Sequence, residues 1–463
     1  MLSRATKLSS GTSTPRRAPI VRGAAVMGVA SEFLADPLTL MLRSHEQYGD
    51  VVQLRLPLLP AKIFATRDPE LTRRILLADE KTVRKHDLLA SALRAMLGPG
   101  LFTLSGSTWR EIRDRQAASF SRAEIDALGD VITAGVERML ATWPAQQGAV
   151  DIARAVAIAT LHITLEGLLG LSDTSSSEAI YDAFEEVQKQ LTGMTQVLQL
   201  FSWLPTESSR SFRHLKHVLS QLVQRVIDNA AAQARPALHL AAILSAKDPG
   251  TGQPLTRERL GGEIINTLFA GYETTAVTLS HALRMLSTHP VILSQVEAET
   301  ARVLGGRTPS IADVRQLEGL VAVVQETLRM FPPVWAQQRT NLVDIEYEGY
   351  RFPRGSLMII STWALHRHPQ HWANPEAFMP ARFSKDASAK RHAFAHVPFG
   401  GGARTCIGRH LALVESVMIL AMVLQRYELL GVSGNSELLA RFTLRTHPLE
   451  FRVQKRERLL GTV

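Results

Sequence analysis

A mainly α-helical chain with a minor β-sheet, folded as one compact unit, is predicted by three features of the sequence. Apolar residues recur at spacings of three and four from about Asp68 to Ala246, the mark of amphipathic helices. A second helical pattern starts at Thr256, a plausible N-cap, and stops at Pro290. At roughly 30 residues and 1.5 Å per residue it would be about 50 Å long, enough to cross the molecule. Strand-like runs are few and short, as at 51–56 and 62–65 around Pro57 and Pro60.

The remaining elements follow from punctuation. Pro99-Gly100, Pro144 and Pro205 interrupt the first helical region. A helix is expected over 290–304, stopped by Gly305-Gly306, and another over 313–330, stopped before Pro332-Pro333. Short strand-like runs occupy 342–360 around Gly349, Pro353 and Gly355, and a final helix begins at about Ile407. Residues 1–23 are basic and contain no Asp or Glu, so they are expected to form a disordered leader ahead of a single domain, 24–463.

Composition narrows the function. The 463 residues are 45% hydrophobic and 21% charged, in the range of ordinary globular proteins. The net charge of +9 favours acidic partners, but the basic residues are scattered, without the clustered footprint of a nucleic-acid binder. No apolar run reaches the ~18 residues of a membrane span, so no membrane anchor is expected. A single cysteine excludes an intramolecular disulfide and a multi-cysteine zinc site. His366, His368 and His371 surround Pro369 at spacings that argue against a metal site.

That cysteine, Cys406, sits in the segment PFGGGARTCIGRHLALVESVMIL, 398–420. Gly400, Gly401 and Gly402 precede it, Gly408 follows it, and Arg404 lies two residues before it. Glycines allow close backbone approach. A helix start and a nearby cation favour an anionic sulfur. An anionic ligand site therefore accounts for this segment better than inert packing does.

Phe399, Gly402, Arg404, Cys406 and Gly408 together resemble the haem-binding loop of the cytochrome P450 superfamily. Other segments resemble its landmarks in the same order. Trp109-Arg-Glu-Ile-Arg113 is similar to its WxxxR helix, and Ala270-Gly-Tyr-Glu273-Thr274 to its (A/G)Gx(D/E)T element. Glu326-Thr-Leu-Arg329 is similar to its ExxR element, and Phe378 to Phe383 to its FxPxRF element. The resemblance spans about Asp36 to Val453.

It implies haem b (iron protoporphyrin IX) between the long central helix and the cysteine-loop helix, with Cys406 as axial ligand to the iron. Trp109, Arg113, Arg339 and Arg404 are then expected at the propionates, with Phe399 and Gly408 packed at the loop. Glu273 and Thr274 are expected as an acid–alcohol pair that delivers protons for dioxygen activation. Glu326, Arg329 and Arg382 are expected to form a buried ion network. Read without the resemblance, an i,i+3 Glu/Arg pair would be a solvated surface pair of little energetic weight.

Leu88, Leu89, Leu93, Met96, Asn266, Phe269, Ala270, Val334 and Trp335 are expected to line a mostly apolar substrate pocket. Asn266 and Gln337 would orient a polar group there. The expected activity is insertion of one oxygen atom of O2 into a hydrophobic small molecule, terpenoid, fatty acyl or polyketide-like, as in secondary metabolism. The chain ends about 57 residues after Cys406, so electrons are expected from a separate ferredoxin or flavodoxin and its NAD(P)H-dependent reductase. Arg110, Arg115 and Arg409 would dock that carrier. The expected protein is a cytoplasmic monomer. A peroxide-driven or redox-neutral haem-thiolate enzyme and a non-catalytic haem sensor are the competing readings.

Overall fold

The computed structural model describes residues 16–23, 28–56, 61–85, 87–173, 175–190, 207–248 and 250–457. Helices dominate, and the long helix forms as the sequence predicts. It runs Arg257–Thr288, and Thr256 Oγ1 accepts from Arg259 N at 3.3 Å as its cap. The helix Pro290–Leu304 also ends where expected, with Gly305 in the left-handed region at φ 55°. Its neighbour differs from expectation. Ile311–Arg315 is a separate 3-10 turn and the helix proper is Glu318–Met330. Asp313 is the reason: it accepts from Ser310 N and Oγ and pairs with Arg307, closing a short turn of its own.

Five strands form the main sheet: β1 (Val51–Leu54), β2 (Ile63–Thr66), β3 (Val83–Lys85), β5 (Gln337–Asn341) and β8 (Leu357–Ile360). Their order is β1-β2-β8-β5-β3; β2 and β8 run parallel and the other pairs antiparallel. Between them in sequence lie β4 (Gln147–Asp151) and the hairpin β6 (Ile345–Tyr347) and β7 (Tyr350–Phe352). The helix Arg409–Arg426 follows the cysteine, starting two residues later than expected, and four strands not expected from the sequence come after it. These are β9 (Tyr427–Gly434), β10 (Leu438–Ala440), β11 (Leu444–Thr446) and β12 (Leu449–Lys455).

Residues 16–23, expected within a disordered leader, are instead docked on strands. Arg16 N donates to Gly349 O, Val21 N donates to Gln53 O, and the Val21 side chain is buried. Hydrogen bonds to the free edges of β1 and β7 and burial of Val21 oppose the entropy of ordering them.

The core lies around the long helix and the post-cysteine helix, whose residues Val414–Gln425 are buried without a break. Gly271 marks where the long helix crosses the segment after helix Ile152–Ile163. A Cβ at Gly271 would fall 2.7 Å from Thr164 Oγ1, so the close approach requires glycine.

Burial of titratable groups sets the pH response. Burial holds His45 and His239 at about 4, His281 and His396 at about 3, and His366 well below its ordinary value. An unfolded chain protonates such rings near 6.5, whereas the folded chain keeps them neutral. Their contribution is full above pH 6.5 and falls on acidification toward 4, by at most about 1.4 kcal/mol per pH unit per ring. Glu263 and Glu415 act oppositely. Burial raises them to about 7 and about 8, so their contribution is present below about 4.5 and is lost as pH rises through those values. Five rings outweigh two carboxyls, so the urea midpoint should drop between pH 7.5 and 5. An unchanged or higher midpoint at pH 5 contradicts this balance.

Candidate active site

One cavity of about 500 Å³ is walled by the long helix on one part and by the cysteine loop on another. Ala270, Gly271 and Thr274 come from the helix; Phe399, Cys406 and Gly408 come from the loop. Glycine geometry shapes the loop. Gly400 and Gly402 take φ of 70° and 65°, and a Cβ on Gly402 would lie 2.1 Å from Leu76 O. Cys406 N donates to Phe399 O at 2.8 Å, closing the loop through backbone.

Cys406 is exposed toward the cavity that it lines, yet protein surrounds it on its other sides. Burial pushes its thiol up, while the Gly408 N–H and the cations Arg113 and Arg409 pull it down; burial wins. The helix that follows begins three residues on, at Arg409.

Cations gather along the cavity wall. Trp109, Arg113, Arg339 and Arg404 all line it. Arg404 lies 4.0 Å from the Trp109 ring centre, and its Nε donates to Glu80 Oε1 at 2.5 Å. The sequence did not single out Lys85, which also lines the cavity. Register places Lys85 directly opposite Arg339 in the β3/β5 pair. Burial and the neighbouring arginines lower Lys85 to about 7, and burial lowers Arg339 to about 10. Like charges opposite each other destabilise a sheet unless an anion joins them.

Glu326, Arg329 and Arg382 form one network, and the first two are fully buried. Arg329 Nε and Nη2 donate to the two Glu326 oxygens at 2.7 and 2.9 Å, and Arg382 Nε donates to Oε1 at 3.0 Å. Arg329 also donates to the carbonyls of His366, Pro375 and Ala377. His366, a member of the histidine-rich stretch, in turn accepts from Val397 N at 2.9 Å. The network thus ties helix Glu318–Met330 to the approach of the cysteine loop.

Glu273 and Thr274 diverge. Thr274 lines the cavity, and its Oγ1 donates to Ala270 O at 3.1 Å. Glu273 is fully buried and faces the C-terminal hairpin, where it accepts from Thr443 Oγ1 at 2.5 Å and from Arg445 Nε at 2.8 Å. Neighbouring helix positions are about 100° apart around the axis, and the Arg445 ion pair takes the acid away from the alcohol. The expected pair is therefore not assembled in this conformation.

The expected pocket residues divide. Leu93, Ala270, Val334, Trp335 and Gln337 line the cavity. Asn266 touches it, but its amide is committed elsewhere. Nδ2 donates to Leu97 O and Gly262 O, and Oδ1 accepts from Phe102 N, so it anchors the 97–102 loop instead of orienting a ligand. Gln337 Nε2 likewise donates to Thr362 Oγ1 and Val397 O. Met96 is packed in the core, and Phe269 stands behind Phe442, 5.0 Å between ring centres, so neither forms the wall. The Leu88 and Leu89 side chains lie outside the described residues.

The chain matches the family model described as Cytochrome P450 over residues 22–453. It is 29% identical over 406 residues to cyclooctatin synthase of Streptomyces melanosporofaciens, covering 85% of this chain and 86% of that protein. It is also 29% identical over 399 residues to cyclooctat-9-en-7-ol 5-monooxygenase of the same organism, with the same shares covered. The crystal structure of the cytochrome P450DA heme domain superposes with a TM-score of 0.83 at 24% identity, covering 96% of this chain and all of that one. A family match over nearly the whole chain, joined to this fold, establishes that the chain belongs to the cytochrome P450 family.

Proposed function

We propose that this protein is a haem-thiolate monooxygenase that inserts one oxygen atom of O2 into a hydrophobic small molecule, with a terpenoid as the favoured class. One observation carries the reading: a single cavity brings the Cys406 sulfur and the Thr274 hydroxyl to one largely apolar space. The two similar Streptomyces proteins support the terpenoid class, since the name of one is that of a monooxygenase acting on cyclooctat-9-en-7-ol.

The residues present fit haem b. Lys85, Arg113, Arg339 and Arg404 line the cavity against one carboxylate, Glu80, which pairs with Arg404, and this excess of cations suits two propionates. Cys406 is open to the cavity as a ligand must be, and coordination would deprotonate its thiol despite burial. When bound, the haem supplies dioxygen activation and oxygen transfer. Thr274 would hold a proton at Oγ1 beside the reacting oxygen, after releasing Ala270 O. Glu273 would resupply that proton only after breaking its pair with Arg445. The apolar wall formed by Leu93, Val334 and Trp335 would exclude water.

Electrons would come from a separate ferredoxin or flavodoxin and its NAD(P)H-dependent reductase. Arg110, Arg115 and Arg409 are exposed and could meet an acidic carrier. Among the described residues no helix is long and apolar enough to cross a membrane. The clamp on Glu273 favours one second reading, a peroxide-driven catalyst that needs no such relay. Thr274→Ala separates the two. In a monooxygenase, product formed per NAD(P)H should fall roughly 10-fold or more, with the electrons recovered as hydrogen peroxide. Unchanged coupling, together with faster turnover on added hydrogen peroxide, supports the second reading.

A further inference from the structure

Arg441 is a cation of the cavity wall that the haem reading does not use. It lies in the turn between β10 and β11 and lines the same cavity as Cys406. Its backbone is pinned, because Trp335 Nε1 donates to Arg441 O at 3.0 Å and Arg441 N donates to Leu439 O at 2.9 Å. The next residue, Phe442, is packed against Phe269 and Phe102, with ring centres 5.0 and 6.1 Å away. The turn that carries the side chain is thus fixed by its backbone bonds and by the packing of Phe442.

Its guanidinium forms no close ion pair among the described residues. Arg441 Nε is buried without a hydrogen-bond partner, and among the described residues no carboxylate lies within ion-pair distance of it. Glu185, the acid nearest in effect, is already paired with Arg445, which also holds Glu273. Burial and the Arg445 charge both press the Arg441 guanidinium down, so an anion reaching it would relieve a real cost. Lys85, Arg339 and Arg404 act on one another, whereas the charges that act on Arg441 are those of Arg445 and Glu185. With the propionates seated on the first three, Arg441 remains for a substrate.

We infer that Arg441 selects the substrate, and that the substrate is an apolar molecule bearing a carboxylate, held by the guanidinium while its hydrocarbon body extends along the apolar wall. A planar guanidinium suits a carboxylate because it offers paired donors, and the low-dielectric wall strengthens the contact. This assignment rests on the haem-thiolate reading and narrows its substrate class.

The test uses haem-loaded protein at pH 7.5 with three probes of equal chain length: decanoate, 1-decanol and methyl decanoate. Binding is read by calorimetry and by the spin-state shift of the Soret band. Wild type should bind decanoate about tenfold tighter than either neutral probe. Arg441→Gln should erase that preference while leaving 1-decanol binding unchanged, and Arg441→Lys should keep part of it. No decanoate binding, equal binding of acid and alcohol, or equal loss of all three probes in Arg441→Gln overturns the assignment. The carbon monoxide spectrum of the reduced wild type is recorded first. A spectrum without a thiolate-type Soret band sinks the parent reading, whereas a thiolate-type spectrum with no acid preference sinks the Arg441 assignment alone.

Discussion

Cys406→Ser should abolish the red-shifted Soret band of the reduced, carbon monoxide-treated protein and eliminate monooxygenase turnover. A serine hydroxyl is a hard, weakly acidic ligand and cannot supply the electron density of a thiolate. The loss should exceed the roughly 10–100-fold typical of removing a supporting group around a metal, because the ligand itself is gone. The fold should survive. The bond that closes the loop runs from Cys406 N to Phe399 O and uses backbone, and the side chain faces an open cavity. Far-ultraviolet circular dichroism should therefore match wild type while the visible spectrum does not. A Cys406→Ser protein that keeps the thiolate-type band would remove Cys406 as the ligand.

Glu326→Gln should have the largest effect on stability. The Glu326 carboxylate accepts from Arg329, Arg382 and the Met379 amide, and neither Glu326 nor Arg329 has any solvent exposure. Removing its charge leaves a buried guanidinium facing a neutral amide. Breaking such a pair typically costs about 3–5 kcal/mol. Arg329 also holds the carbonyls of His366, Pro375 and Ala377, so the loss should spread to the approach of the cysteine loop and loosen haem retention. The comparison is Arg138→Ala, which breaks a more exposed pair with Glu166 and should cost about 0–1 kcal/mol. Urea titration of both variants measures the difference, and a Glu326→Gln cost as small as that of Arg138→Ala would contradict the role of the network.

These two effects also show where sequence reading succeeds and where it stops. The long helix could be read almost to the residue because its signals are local: the Thr256 hydroxyl at one end and Pro290 at the other. The cysteine loop could be read for the same reason, since Gly402 and Cys406 lie within one short run. Glu326 and Arg329 could be seen as neighbours on a helix face, but spacing alone could not show that face to be buried. The four strands after Tyr427 were missed because their pairing partners are distant; β12 pairs with both β9 and β4.

Lys85 and Arg441 left no trace in the linear pattern. Lys85 becomes a cavity-lining cation only because β3 pairs with β5 and sets it opposite Arg339. Arg441 becomes a cavity residue only because its turn is pinned by Trp335, more than a hundred positions earlier. Glu273 shows the reverse case. Its place in the motif put it beside Thr274, and Arg445 on a distant hairpin turned it away.

Local order therefore set the helices, their caps and the glycine-shaped loop around Cys406, because each depends on residues a few positions apart. The cavity, the charges unpaired along its wall and the direction in which its acid points came from long-range packing. Electrostatic balance in a buried space is a sum over groups that the chain brings together from remote positions, and no stretch of sequence contains that sum.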